Sequence, residues 1–244
     1  MSDADSLGPF EAVVFDLDGT LVDSRRGIEA TLRAALSEIG VDVEPPPLGA
    51  QLGLPLDGLI ASLGASLDAQ QRVAVRAAFV RHYDATGWLD CDLYPGVRAV
   101  LTELRGRGIR LFVVTNKRRA PTLAILRHHA LASLFEAVYT LDSRMPRFPS
   151  KEAMAQACMR DHALRPLTTL VVGDSGEDRF MAQALDTPFA AAAWGYGDAA
   201  GPVPESASQD FRVSSGVELG EPILGAIADL PALVLPGRGV EADS

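Results

Sequence analysis

Lysine is nearly missing from this sequence. Of 22 basic residues 20 are arginine, which leaves only Lys117 and Lys151. Surface positive charge is therefore carried by arginine, and each lysine needs a specific reason. Cysteine is equally scarce. Cys91 and Cys158 lack the short spacing of a zinc site or a redox pair, so two free thiols without a role are predicted. Long apolar runs are absent too: the most apolar stretch, Pro188 to Trp194, is strand-sized, far below the roughly 18 residues a membrane span needs. The first residues, Met-Ser-Asp-Ala-Asp-Ser, are acidic where a secretion signal is basic. A cytoplasmic location without a membrane partner is the expectation. A formal net charge of -10 argues against nucleic acid, whose phosphates demand clustered Lys and Arg.

What is present is an alternation of elements. Ala12-Val13-Val14-Phe15, Leu111-Phe112-Val113-Val114, Leu170-Val171-Val172 and Pro188 to Trp194 are short, continuous apolar runs, with Ala137 to Thr140 a weaker fifth. Such runs predict strands buried on both faces. Helical patterns lie between them at Gly96–Gly106, Pro121–Ala130, Lys151–Leu164 and Glu177–Leu185. The alternation predicts an α/β fold, a Rossmann-like doubly wound parallel sheet whose ligands bind beyond the carboxyl ends of the strands.

One long, mostly helical stretch interrupts the pattern after the first strand and reads as an inserted α-helical cap. Ile28, Leu32, Ala35, Leu36 and Ile39 recur at helical spacing before Gly40, a predicted carboxyl-terminal cap. Asp68-x-x-Gln71 opens a later helix whose apolar face is read as Val73, Ala77 and Val80. Glu44-Pro45-Pro46-Pro47 marks a loop, and Tyr94-Pro95-Gly96 the return to the sheet. The predicted organisation is a core over residues 1–23 and 91–235, a cap over 24–90 and a tail over 236–244. A short strand near Phe211 and a helix over Ile223 to Leu230 are predicted before that tail.

Carboxylates gather at the predicted strand ends. Asp16-Leu17-Asp18-Gly19-Thr20 follows the first strand, and an extended backbone points both acids to one side. Asp18-Gly19 alone reads as a turn. Gly173-Asp174-Ser175-Gly176-Glu177-Asp178 follows another buried strand, which brings Asp174 beside Asp16 if both strands share one sheet. Acids so placed repel unless a hard cation such as Mg²⁺ joins them or one is neutral. Asp178 reads equally well as a helix cap. Thr115-Asn116 offers a hydroxyl and backbone amides that could cradle phosphate oxygens. Lys151 opens a helix, where the dipole disfavours it, so it calls for a nearby anion. Lys117 reads equally as solvated or as touching a substrate.

These motifs, in this order, resemble the haloacid dehalogenase superfamily, in particular its phosphoglycolate-phosphatase-like branch with a helical cap. The residues that carry the resemblance are Asp16-Leu17-Asp18-Gly19-Thr20-Leu21-Val22-Asp23-Ser24, Thr115-Asn116-Lys117, Lys151, and Gly173-Asp174-Ser175 with Asp178. The resemblance implies a Mg²⁺-dependent phosphatase. Asp16 would be the nucleophile and a metal ligand, and Asp18 the acid and base, with its carbonyl on the metal. Thr115 and Lys151 would hold the phosphoryl group, Asp174 would complete the metal site, and Asp178 would support it. Asn116 and Arg25 are further substrate-binding candidates, with Arg26 and the Gly53-Leu54-Pro55-Leu56 loop facing the leaving group; both arginines read equally well as solvated. One departure is Glu152 directly after the motif lysine, where the family often has proline.

Neighbouring activities weigh less. Dehalogenases of the superfamily lack the second aspartate, and a Schiff-base mechanism needs a cap lysine, of which none lies between Ser24 and Asp90. A nucleotide or sugar phosphate as substrate, and a phosphosugar mutase, stay as alternatives. A phosphoaspartate signalling module has the wrong motif order. The expected partner is a small phosphate ester, for which the resemblance implies a small acid such as phosphoglycolate, with the protein a monomer or homodimer.

Overall fold

A computed structural model describes residues 10–41, 48–64, 67–197, 223–224 and 227–230. The predicted Pro45 loop, the strand near Phe211 and the tail beyond residue 236 lie outside them. Six strands form one parallel sheet in the order β5-β4-β1-β6-β7-β8. They are β1 (Ala12–Phe15), β4 (Arg110–Thr115), β5 (Ala137–Thr140), β6 (Thr169–Gly173), β7 (Phe189–Ala192) and β8 (Ile223–Leu224). Strand β1 is central, with Phe15 opposite Val113 of β4 on one side and Val172 of β6 on the other. The carboxyl ends of β4, β1 and β6 therefore lie side by side.

The apolar runs are continuous because both faces of the sheet are covered. Val13, Phe15, Leu111, Val113, Leu170 and Val172 pack with α4 (Val97–Gly106) and α5 (Arg119–His128). The alternate residues Ala12, Val14, Phe112, Val114 and Val171 pack with α6 (Lys151–Asp161) and α7 (Gly176–Ala184). Side chains alternate sides along a strand, so two cores require an apolar residue at every position.

One expectation at the sheet edge fails. Residues Ile223 to Leu230, predicted as a helix, instead supply the short strand β8 and a single 3-10 turn at Ile227–Asp229. Ile223 and Leu224 pair with Ala191 and Ala192 and cover the edge that β7 would otherwise expose. Pairing with an open edge outweighs local helical spacing there.

Helices α1 (Arg25–Glu38), α2 (Leu56–Ala61) and α3 (Ala69–Ala85) surround a third core of their own. The antiparallel ribbon of β2 (Val22–Asp23) and β3 (Asp92–Leu93) brackets this helical unit. Ile28, Leu32, Ala35 and Leu36 are buried on α1 as their spacing predicts, and Gly40 just beyond it takes the left-handed φ of 72° that suits glycine. Asp68 and Gln71 form a reciprocal capping box on α3. The buried face of α3 is Val75, Ala78, Phe79 and Tyr83, not the predicted Val73, Ala77 and Val80. Val73 is 70% exposed. The correct stripe contains aromatics four residues apart, and Phe79 stacks on Tyr83 at 5.3 Å; the small apolar residues Val73 and Ala77 mark the wrong side.

Both cysteines are buried and unpaired, Cys91 in one sheet core and Cys158 in the other. Burial pushes each thiol up to about 12. The thiolate is the reactive species. Both should therefore react with a disulfide reagent at pH 8 at least about 100-fold more slowly in the native protein than in denaturant, a ratio read from the rate of chromophore release.

Candidate active site

Asp16, Thr115 and Asp174 come from the ends of the three adjacent strands β1, β4 and β6, and all are at least nine-tenths buried. Asp178 sits in the first turn of α7, and Lys151 is the first residue of α6. Lys151 Nζ lies 2.5 Å from Asp16 Oδ1 and 2.7 Å from Asp178 Oδ1. The ammonium unfavourable at a helix start is thus matched by two carboxylates. Glu152 after the motif lysine leaves this pairing intact. Burial alone would lower the Lys151 ammonium; Asp16 and Asp178 outweigh it and hold it above its ordinary value.

The acids feel the opposite pull. Burial raises Asp16 well above the usual carboxylate range, with Lys151 opposing and Asp178 and Asp174 adding to the rise. Burial and Asp178 push Asp174 up to about 6, against the N–H groups of Gly197 and Tyr196. Carboxylate oxygens of Asp16, Asp174 and Asp178 lie within 4.8 Å of one another. An all-oxygen, buried, excess-negative donor set is what a hard divalent cation requires. Asp178 also fulfils its other expected role, because its Oδ2 accepts from Ser175 N–H and Oγ–H in a capping box. The Asp18 side chain stands outside this trio.

Asp18 is instead bound to the second lysine. Lys117 Nζ lies 2.9 and 3.1 Å from the two Asp18 oxygens, and Ser24 Oγ donates to Oδ1. The lysine side chain is only 7% exposed, so a solvated Lys117 is excluded. Its ammonium also sits 4.7 Å from the centre of the Tyr83 ring on α3. The two lysines of the chain are therefore each committed to one aspartate of the first motif. For Lys117 the scarcity of lysine beside twenty arginines was the sequence signal; for Lys151 its place at a helix start was a second one.

Other predicted residues are engaged elsewhere. Asn116 donates its side-chain amide to Gly53 O at 3.1 Å and Glu177 Oε2 at 2.7 Å, one acceptor for each hydrogen, which ties the site to the 3-10 turn Ala50–Gly53. Arg25 is exposed and lies over the Tyr196 ring, while Arg26 pairs with Asp90 and Asp92. Neither arginine lines the cleft.

Trp194-Gly195-Tyr196-Gly197, of which the sequence shows only a strand end at Trp194, also reaches the site. The N–H groups of Tyr196 and Gly197 donate to Asp174 Oδ2 at 2.9 and 3.0 Å, and Trp194 Nε1–H donates to Thr20 O. A Cβ on Gly195 would fall 2.2 Å from the Asp174 Cβ, and one on Gly19 2.2 Å from its Oδ2. Backbone must therefore approach Asp174 from both sides. Two glycines flanking an aromatic directly after a strand were the available sign.

Between this site and the helical unit lies a cleft that opens to solvent, with Asp16, Asp18 and Thr115 among its lining residues. Among the described residues no helix is long and apolar enough to cross a membrane.

The chain is similar to proteins of known sequence and structure. The chain is 33% identical over 192 residues to the tyrosine-protein kinase PtkA of Mycobacterium tuberculosis, covering 78% of this chain and 64% of that one. It thus spans just under two thirds of the length of that relative. It is 33% identical over 196 residues to a phosphoglycolate phosphatase of Nitrosospira multiformis, covering 78% of this chain and 86% of the relative. The solved structure of the Mycobacterium tuberculosis PtkA superposes with a TM-score of 0.72 at 29% identity, over 94% of this chain and all of that one. Residues 13–192 match the haloacid dehalogenase-like hydrolase model, and the chain belongs to that family.

Proposed function

We propose that the protein is a Mg²⁺-dependent phosphatase that hydrolyses small organic phosphate monoesters through an aspartyl-phosphate on Asp16. The observation that carries this is the buried group of Asp16, Lys151, Asp174 and Asp178 at the ends of β1 and β6, opening on a cleft with Asp18 and Thr115. The name of the phosphatase relatives supports phosphate esters as the substrate class.

In the first step an Asp16 oxygen attacks phosphorus, the bond to the leaving oxygen breaks, and Asp18 supplies that oxygen with a proton. In the second, water attacks phosphorus, Asp18 takes the water proton, and inorganic phosphate departs with Asp16 restored. Lys151 offsets the charge of the transferring phosphoryl group, and Thr115 Oγ1–H is a donor at the end of β4. Lys117 and Ser24 hold Asp18 in place. Asp16, Asp174 and Asp178, with the Asp18 carbonyl, would hold Mg²⁺, which when bound supplies positive charge to the nucleophile and the phosphoryl oxygens. Phosphoryl transfer depends mainly on such positioning and charge stabilisation.

The tyrosine-kinase relatives raise a second reading, in which the same phospho-aspartate is loaded from ATP and passed to a protein hydroxyl. Transfer of labelled phosphate from ATP to a tyrosine peptide, with Asp16 required, is the outcome that would favour it.

For hydrolysis, a panel of phosphate monoesters with Mg²⁺ should show turnover that EDTA abolishes. Asp16→Asn should lower kcat by about 10⁴-fold or more. Metal-independent turnover or an active Asp16→Asn protein would sink the mechanism.

Lys117→Met removes the partner that fixes Asp18. It should lower kcat by about 10- to 100-fold, part of the usual contribution of a positioned acid or base. Unfolding in urea should reveal a loss of about 3 kcal/mol, since one half of a buried ion pair is left alone.

A further inference from the structure

The cleft has two unlike walls. Its floor is the polar group of Asp16, Asp18 and Thr115, where the phosphoryl group would sit. The wall contributed by the helical unit is mainly apolar, built from Leu52, Leu54, Leu56, Leu59 and Phe79, with the hydroxyl of Tyr83 its one polar group. Any group attached to the phosphate must pass along that wall.

Two cations, Lys117 and Arg118, also border the cleft. Both are already paired. Lys117 is bound to both oxygens of Asp18, and Arg118 forms a two-pronged bridge with Asp84 of α3, its Nη1 at 2.7 Å from Oδ2. The arginines at the entrance to α1 are turned to Tyr196, Asp90 and Asp92 instead. Among the described residues, therefore, the cleft offers a second anionic group no uncommitted cation. A carboxylate against the leucine wall would lose its hydration without a counter-charge, which is strongly unfavourable. An uncharged apolar body would gain from leaving water there.

Resting on the phosphatase reading above, we infer that the leaving group is an uncharged, apolar alcohol or phenol, selected by this leucine and aromatic wall, and not a small acid such as glycolate. The Tyr83 hydroxyl, pushed up to about 12 by burial, stays neutral and adds no charge to that wall.

The test separates this inference from catalysis by using two phosphonates that resist hydrolysis, matched in their phosphonate end. One is 2-phenylethylphosphonate; the other is 3-phosphonopropionate, which carries a carboxylate in place of the ring. Calorimetric titration of the full chain with Mg²⁺ present should give a Kd at least about tenfold lower for the phenyl compound. Leu54 is 41% exposed, so Leu54→Arg can place a cation in the wall without disturbing the core, which an unchanged thermal midpoint would verify. That variant should narrow the ratio to about unity or reverse it. Equal or tighter binding of 3-phosphonopropionate by the unaltered protein overturns the inference, as does failure of both compounds to bind. A phenyl preference that Leu54→Arg leaves untouched also overturns it, since the ring then binds elsewhere. Hydrolysis surviving Asp16→Asn would instead defeat the phosphatase reading, and the binding ratio would be unaffected by that result.

Discussion

Lys151 joins two elements that would otherwise repel. Its buried ammonium lies between Asp16 at the end of β1 and Asp178 at the start of α7, with Asp174 close by. Three carboxylates this close and this dry cannot all remain charged without compensation. One lysine does not neutralise three acids, so the pocket retains a deficit that a divalent cation would fill. The architecture around it serves this arrangement. Sheet order brings β4, β1 and β6 together, and two separate cores on either face fix the strand ends that carry the charges.

The second lysine sets up a parallel arrangement at the aspartate two residues further along the first motif. Lys117 binds Asp18 and lies against Tyr83, which belongs to the helical unit. Its neighbours make similar connections, Asn116 to Gly53 and Arg118 to Asp84. Three consecutive residues after β4 thus each touch the helical unit while bordering the cleft. The position of that unit is in this way tied to the orientation of Asp18. Polar contacts hold the two units together at the cleft rim, and apolar contacts are left to the wall that faces the substrate.

Much of the fold was legible because local chemistry and tertiary environment agreed. Doubly buried strands read as unbroken apolar runs, and the Asp68-x-x-Gln71 capping box and the glycine after α1 announce helix ends on their own. The failures share one cause. The stripe on α3 and the conformation of Ile223 and Leu224 were decided by what packs or pairs against them, and apolar spacing cannot report a partner.

The same division runs through the site. Sequence by itself determined which side chains could do chemistry: the acids after β1 and β6, the threonine that ends β4, and two lysines too rare to be accidental. Residue type and strand ends are local properties, so they survive in one dimension. Tertiary structure alone decided how those charges were distributed. It paired Lys151 with Asp16 and Lys117 with Asp18, spent the Asn116 amide on Gly53 and Glu177, and turned Arg25 away toward Tyr196. It also brought Tyr196 and Gly197 onto Asp174. Pairing of charges depends on distance and burial between residues far apart in the chain, and only folding fixes both.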